Sequence, residues 1–247
     1  MTASDTETRL ASGEWLDRLG DRDALTVMLD SQAAAAEAVA ASLTQIEAAA
    51  GAMVARLAAD DQARIIYAGA GTSIRIAVQD GVELGPTFDW PSARLGYLVA
   101  GGHGALMSAA ENAEDDEGAA RSGVAGLDLG LPDILIGLSA SGRTAFTCAA
   151  VEAARRAGAL TIGIANNEGT ALLDRADIAI PLLTGAEAVA GSTRLKAGTA
   201  QKICLNMIST LVMTRLGYVR DGQMVAMKPG NAKLRERYDR IHGAGDR

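Results

Sequence analysis

Ile134-Leu135-Ile136-Gly137-Leu138, closing on Ser139-Ala140-Ser141-Gly142-Arg143-Thr144, is the stretch that decides the fold. Its apolar residues run on without the polar alternation of a half-exposed strand, so both faces must be covered. The hydroxyl and glycine residues that close it stand just ahead of a helix-length stretch, 144–157. Four other runs have the same form. Ile65-Ile66-Tyr67-Ala68 closes on Gly69-Ala70-Gly71-Thr72-Ser73, and Tyr97-Leu98-Val99-Ala100 on Gly101-Gly102. Leu160-Thr161-Ile162-Gly163-Ile164 closes on Ala165-Asn166-Asn167, and Ile178-Ala179-Ile180 on Pro181. Short apolar strands separated by helix-length segments predict an α/β domain with a doubly wound parallel sheet flanked by helices. Such a sheet takes its ligand beyond the carboxyl ends of the strands, where the small and hydroxyl residues of this chain fall.

Outward from the strands the period becomes helical. Between 24 and 59, Val39, Leu43, Ile46, Met53 and Leu57 recur at helical spacings, and the many alanines permit close packing. This predicts a scaffolding or dimer-forming helical segment. Residues 1–23 mix charge, Gly and Ser and read as an arm, leaving 24–247 as one domain. The segment 193–216 is apolar on most sides and predicts a buried helix. The charged tail, 228–247, predicts a surface helix.

Composition narrows the partners. The chain has 247 residues, 49% hydrophobic and 21% charged, with a formal net charge of -7. An acidic balance argues against a nucleic-acid partner, which demands a basic face. It leaves an anionic ligand open, because backbone N–H groups bind phosphate without net positive charge. Cys148 and Cys204 lie in apolar contexts without metal-ligand spacing, and His103 and His242 are the only imidazoles, so no metal site is expected. Neither a signal peptide nor an apolar run of membrane-spanning length is present, which sets a cytoplasmic location as the expectation.

Two strand ends carry the chemistry. In Gly69-Ala70-Gly71-Thr72-Ser73, glycine lets backbone approach a ligand, while a helix N-terminus and two hydroxyls offer donors. Ile74 occupies the third-glycine position of a dinucleotide fingerprint, and no Gly-Lys-Ser/Thr exists, so neither nucleotide loop is formed. In the second loop, Ser139, Ser141 and Thr144 with Gly142 can wrap one phosphate, or serve only as helix caps. Two such loops favour a phosphate.

Several segments, in order, resemble the N-acetylmuramic acid 6-phosphate etherases, a family within the sugar isomerase (SIS) domains. They are Gly69 to Ser73, Pro86-Thr87-Phe88, Ala113-Glu114-Asp115-Asp116, Ser141-Gly142-Arg143-Thr144 and Gly191-Ser192-Thr193-Arg194-Leu195-Lys196-Ala197-Gly198-Thr199-Ala200-Gln201-Lys202. The resemblance implies an SIS-type fold, a homodimer, and a lyase of peptidoglycan recycling that needs no cofactor. Its substrate would be a 6-phosphorylated amino sugar, cleaved at the D-lactyl ether to N-acetylglucosamine 6-phosphate and D-lactate. It implies Glu83 as proton donor to the departing oxygen and Glu114 as the base at C2, or the two exchanged. Gly71, Thr72, Ser73, Ser139, Ser141, Gly142 and Thr144 would bind the phosphosugar. Ser192, Thr193 and Lys196 would close the pocket, Lys196 on the phosphate or on an acid.

The chain departs from the family pattern in places. Ile74 replaces a glycine, which sets a bulky group beside the sugar, and Leu84-Gly85 replaces Cys-Pro. The Arg-Asn element near the N-terminus appears as Thr6-Glu7-Thr8-Arg9 without its Asn, and the etherases' C-terminal helical subdomain is not seen. Two alternatives follow: a non-catalytic sugar-phosphate sensor, and a phosphosugar isomerase using His242.

Overall fold

The computed structural model describes residues 5–10, 13, 15–108, 110–226 and 235–236. Two helices lead, α1 (Asp21–Ala40) and α2 (Leu43–Ala59), and then the sheet and its crossovers begin. In chain order these are β1 (Ile65–Gly69), α3 (Gly71–Phe88), β2 (Leu95–Val99), α4 (Glu117–Gly126), β3 (Ile134–Ser139), α5 (Ala145–Arg156), β4 (Leu160–Ala165), α6 (Ala171–Arg175) and β5 (Ile178–Pro181). After α7 (Lys196–Arg215) comes a small hairpin, β6 (Val219–Arg220) and β7 (Gln223–Met224). The tail reading, 228–247, and His242 lie outside the described residues, apart from 235–236.

The five long strands form one parallel sheet in the order β2-β1-β3-β4-β5. Tyr67 sits between Tyr97 and Ile136, and Ile136 between Tyr67 and Ile162, so the register of the central strands is continuous. Side chains along each strand alternate between two apolar cores. Ile65, Tyr67, Ile134, Ile136 and Ile162 face α1, α2, α3 and α7; Ile66, Ala68 and Leu135 face α4, α5 and α6. Each strand therefore needs apolar residues at every position, the pattern seen in 134–138. Strand β2, at the edge, is only half-buried over its first three residues. Gly137 is required by packing: a Cβ there would lie 2.5 Å from Val151 Cγ2, so α5 could not close on the sheet.

Two polar anchors fix this frame. At the amino edge Arg64 clamps Asp133 through its backbone N–H (3.1 Å), Nε (3.0 Å) and Nη2 (2.7 Å), and Gly130 N–H adds a fourth bond (3.0 Å). Between α3 and α7 the buried Asp80 accepts from Tyr67 Oη (3.1 Å), Asn206 Nδ2 (2.7 Å) and Ser209 Oγ (3.0 Å). Both oxygens of Asp80 are thus engaged, as a buried carboxylate requires. Among the described residues no single helix is long and apolar enough to cross a membrane.

Candidate active site

The carboxyl ends of β1, β3 and β4 bring three loops together. Ser139 ends β3; its Oγ lies 2.8 Å from Thr144 Oγ1 and 3.3 Å from Ser141 Oγ. The three hydroxyls predicted to act together converge just before α5. Gly142 turns the loop with φ +65°, donating its N–H to Ser139 Oγ (3.1 Å), and a Cβ at this position would meet Thr170 Oγ1 at 2.3 Å. A left-handed φ and an absent side chain are both needed, so only glycine fits.

Gly71, Thr72 and Ser73 form the first turn of α3, whose amino end opens at the carboxyl edge of β1. Strand β1 neighbours β3, and a Cβ on Gly69 would lie 3.0 Å from Leu138 O, so the two hydroxyl-bearing loops stand side by side. The start of α7 approaches the same place: a Cβ on Gly198 would lie 3.3 Å from Thr72 Cγ2 and 3.1 Å from Ile76 Cδ1.

The expected obstruction by Ile74 is not observed. Its side chain is 1% exposed and packs into the core with Ile65, Tyr67 and Leu138, turned away from the loop hydroxyls. On an α-helix, residues 72 and 74 lie some 200° apart, so the turn that presents Thr72 outward directs Ile74 to the sheet. Leu84 is likewise core.

Ser192 and Thr193 lie in the turn before α7 and are half-buried; Thr193 O accepts the Gly198 N–H (2.9 Å). Lys196 opens α7 and is buried, with its Nζ donating to Ala186 O (2.7 Å). Burial lowers its pKa, and the nearby Glu187 carboxylate opposes that shift. Glu187, fully buried, accepts from the N–H groups of Lys196 (3.0 Å) and Ala197 (2.8 Å). It caps the positive end of α7, where a free anion would otherwise bind.

Sequence reasoning missed Glu187 and a second device, which ties residues 5–10 to the loops. Thr6 is buried although the segment 1–23 reads as an arm. Its N–H points to Asn167 Oδ1 (3.4 Å), and Asn167 Nδ2 donates both to Thr6 Oγ1 (3.1 Å) and to Ala140 O (2.9 Å). Ala140 lies between Ser139 and Ser141. Gly191 N–H in turn donates to Thr6 O (3.0 Å). One threonine thus joins the hydroxyl loop to the turn before α7. Asn166-Asn167, standing directly after a buried strand, was the available signal.

The two expected catalytic carboxylates lie on different elements, and both are exposed. Glu114 sits on a 3-10 turn (Ala113–Asp115) following β2, exposed, near the carboxyl edge. Glu83 is exposed on α3, twelve residues beyond Gly71, about 18 Å along the axis at 1.5 Å per residue.

Comparison with known proteins bears on the fold and the family. Residues 48–155 match the glucokinase regulatory protein N-terminal SIS domain family, and residues 117–211 the SIS domain family. Similar solved structures include a phosphoheptose isomerase from Francisella tularensis (TM-score 0.58, 22% identity, 80% of this chain and 98% of that one). Another is a Bacteroides fragilis protein involved in capsule formation (TM-score 0.62, 18% identity, 82% and 95%). These share the fold. Sequence relatives are nearer: an N-acetylmuramic acid 6-phosphate etherase from Deinococcus radiodurans is 45% identical over 232 residues, 93% of this chain and 75% of that protein. One from Rubrobacter xylanophilus is 45% identical over 236 residues, 96% and 78%. With identity at that level running through nearly all of its length, this chain belongs to the N-acetylmuramic acid 6-phosphate etherase family.

Proposed function

We propose that the protein is a carbon–oxygen lyase that cleaves the D-lactyl ether of N-acetylmuramic acid 6-phosphate, yielding N-acetylglucosamine 6-phosphate and D-lactate. The observation that carries this reading is the convergence of Ser139, Ser141 and Thr144 beside the first turn of α3 in a chain 45% identical to named etherases. The phosphate is held by these hydroxyls, by Thr72 and Ser73, and by amides at the start of α3, which bind an anion without any net positive charge. Ser192, Thr193 and Lys196 close the pocket, Lys196 beside the buried acid Glu187.

The chemistry needs two proton-transfer groups. Opening the sugar ring exposes an aldehyde that acidifies the C2 proton. Glu114 removes that proton, the C3–oxygen bond breaks, and Glu83 protonates the departing lactate oxygen. Water then adds across the C2–C3 double bond, its hydroxyl to C3 and a proton to C2, so one water is consumed per ether cleaved. Both carboxylates stand exposed on a single chain, so a partner must cover them to form a dry site. A homodimer supplies it, with Leu25, Leu29 and Leu43 of the helical lead offering exposed apolar surface for the contact. The protein acts as a sugar-phosphate unit in the cytoplasm, in the recycling of peptidoglycan.

The direct test is to incubate the protein with N-acetylmuramic acid 6-phosphate in deuterated water. Lactate release together with deuterium at C2 of the product is expected; tight binding with neither result rejects the lyase. A narrower test addresses the phosphate. Losing a hydrogen bond to a charged group costs about 1.5–3 kcal/mol, so Ser141→Ala should weaken phosphosugar binding by roughly ten- to a hundredfold. Calorimetry giving an unchanged affinity would place the phosphate elsewhere.

A further inference from the structure

A cavity of about 510 Å³ lies outside the residues assigned to the phosphate. One wall is the segment Glu187 to Ala190; the other is the amino-terminal segment with Arg9, Trp15 and Arg18. The Arg18 guanidinium lies 4.0 Å from the Trp15 ring centroid and that of Arg9 lies 5.5 Å from it. Stacking on the ring face orders both cations while leaving their N–H edges free for an acceptor. Among the described residues neither guanidinium makes an ion pair. Of the acids on the wall, Glu187 has both oxygens engaged by the amides of α7, and Asp17 is exposed.

The position of the cavity relative to the phosphate loop is fixed by Thr6. That residue is bonded through Asn167 to Ala140 and directly to Gly191, and Arg9 follows three residues later, within about 10 Å of chain. A phosphosugar anchored on Ser139, Ser141 and Thr144 therefore has this cavity beside it. Arg75, near the start of α3, is committed elsewhere: it donates to Leu106 O (2.9 Å) and Ala105 O (2.9 Å). The substrate in the reading above carries a second anion besides its phosphate, the carboxylate of its ether-linked acid arm. A planar guanidinium is the side chain best matched to a carboxylate, taking both oxygens at once.

We propose that Arg9 and Arg18, ordered on Trp15, form the subsite for the carboxylate of the ether-linked acid arm. The Trp15 ring and Leu10 offer apolar surface to the arm's methyl group. This inference rests on the etherase reading, and it gives these residues the task of separating an ether-bearing phosphosugar from one without the arm.

The test uses two ligands that differ only in that arm, N-acetylmuramic acid 6-phosphate and N-acetylglucosamine 6-phosphate. Their affinities are measured by calorimetry in the Glu114→Gln background, where the ether is not consumed, with and without the pair Arg9→Gln and Arg18→Gln. Expected is a ten- to hundredfold loss for the ether and a change within twofold for N-acetylglucosamine 6-phosphate. The unchanged second affinity also reports an intact fold. Equal losses for both ligands would mean that the segment only supports the phosphate loop, and no loss for either would mean that the carboxylate lies elsewhere; each overturns the subsite. Failure of the unaltered protein to release lactate is a separate readout, and it counts against the lyase reading rather than against the affinity difference.

Discussion

Replacing Glu83 by Gln is expected to stop lactate release while leaving exchange of the C2 proton visible. Replacing Glu114 by Gln should remove both. The difference follows from the order of events. Deprotonation at C2 precedes departure of the ether oxygen, so disabling the later acid leaves the earlier step running back and forth with solvent. A positioned acid or base contributes about 10²–10⁴-fold, well within reach of proton NMR against the unaltered protein. The amide keeps the size of each side chain, and both residues are exposed on their own chain, so the fold should be unaffected. If Glu114→Gln retains exchange and Glu83→Gln loses it, the two roles are reversed. Exchange kept by both variants would remove both residues from the deprotonation, and undiminished lactate release in both would remove them from the chemistry.

The largest expected loss of stability lies at the other end of the sheet. Asp133 is 3% exposed and accepts four hydrogen bonds, three from Arg64 and one from Gly130 N–H. Asp133→Ala leaves the Arg64 guanidinium, itself partly buried, without its counter-charge; removal of one partner of a buried pair costs on the order of 3 kcal/mol. Denaturant unfolding should report that loss, whereas phosphosugar affinity of the folded variant should be unchanged. The pH dependence has a definite sign. Burial alone would raise the Asp133 carboxyl, but the bonds and charge of Arg64 and the Gly130 amide outweigh it and hold the group below its ordinary range. A folded value below the unfolded one means that the contribution is complete above about pH 4 and lost as pH falls through the lowered value. The alanine variant should therefore lack part of the acid limb of the stability curve. An unaltered limb would show that the clamp contributes little.

The parallel sheet was legible because its three central strands are covered on both sides, and the apolar runs ending at Ala68, Ala100, Leu138, Ile164 and Ile180 fall within strands or at their ends. The hydroxyl loop was legible for a related reason: Ser139, Ser141 and Thr144 are close in sequence, so a single turn brings them together. Contacts made across the chain were not. Nothing near Thr6 announces that it will be buried against Asn167, and nothing near Glu187 indicates that it will cap a helix starting nine residues later. Ile74 misled in the opposite direction. Its place beside Thr72 and Ser73 suggested contact with the sugar, whereas the helical turn sends it into the core.

The bond between Thr6 and Asn167 joins residues 161 positions apart. Loop-closure entropy must be overcome before so distant a contact brings any return, which puts such contacts late in folding. A chain made from its amino end releases Thr6 early, yet Thr6 has nothing to dock on until β4 and the asparagines after it are in place. The tie between the amino-terminal segment and the hydroxyl loop is thus closed across two-thirds of the chain, and it cannot form without β4.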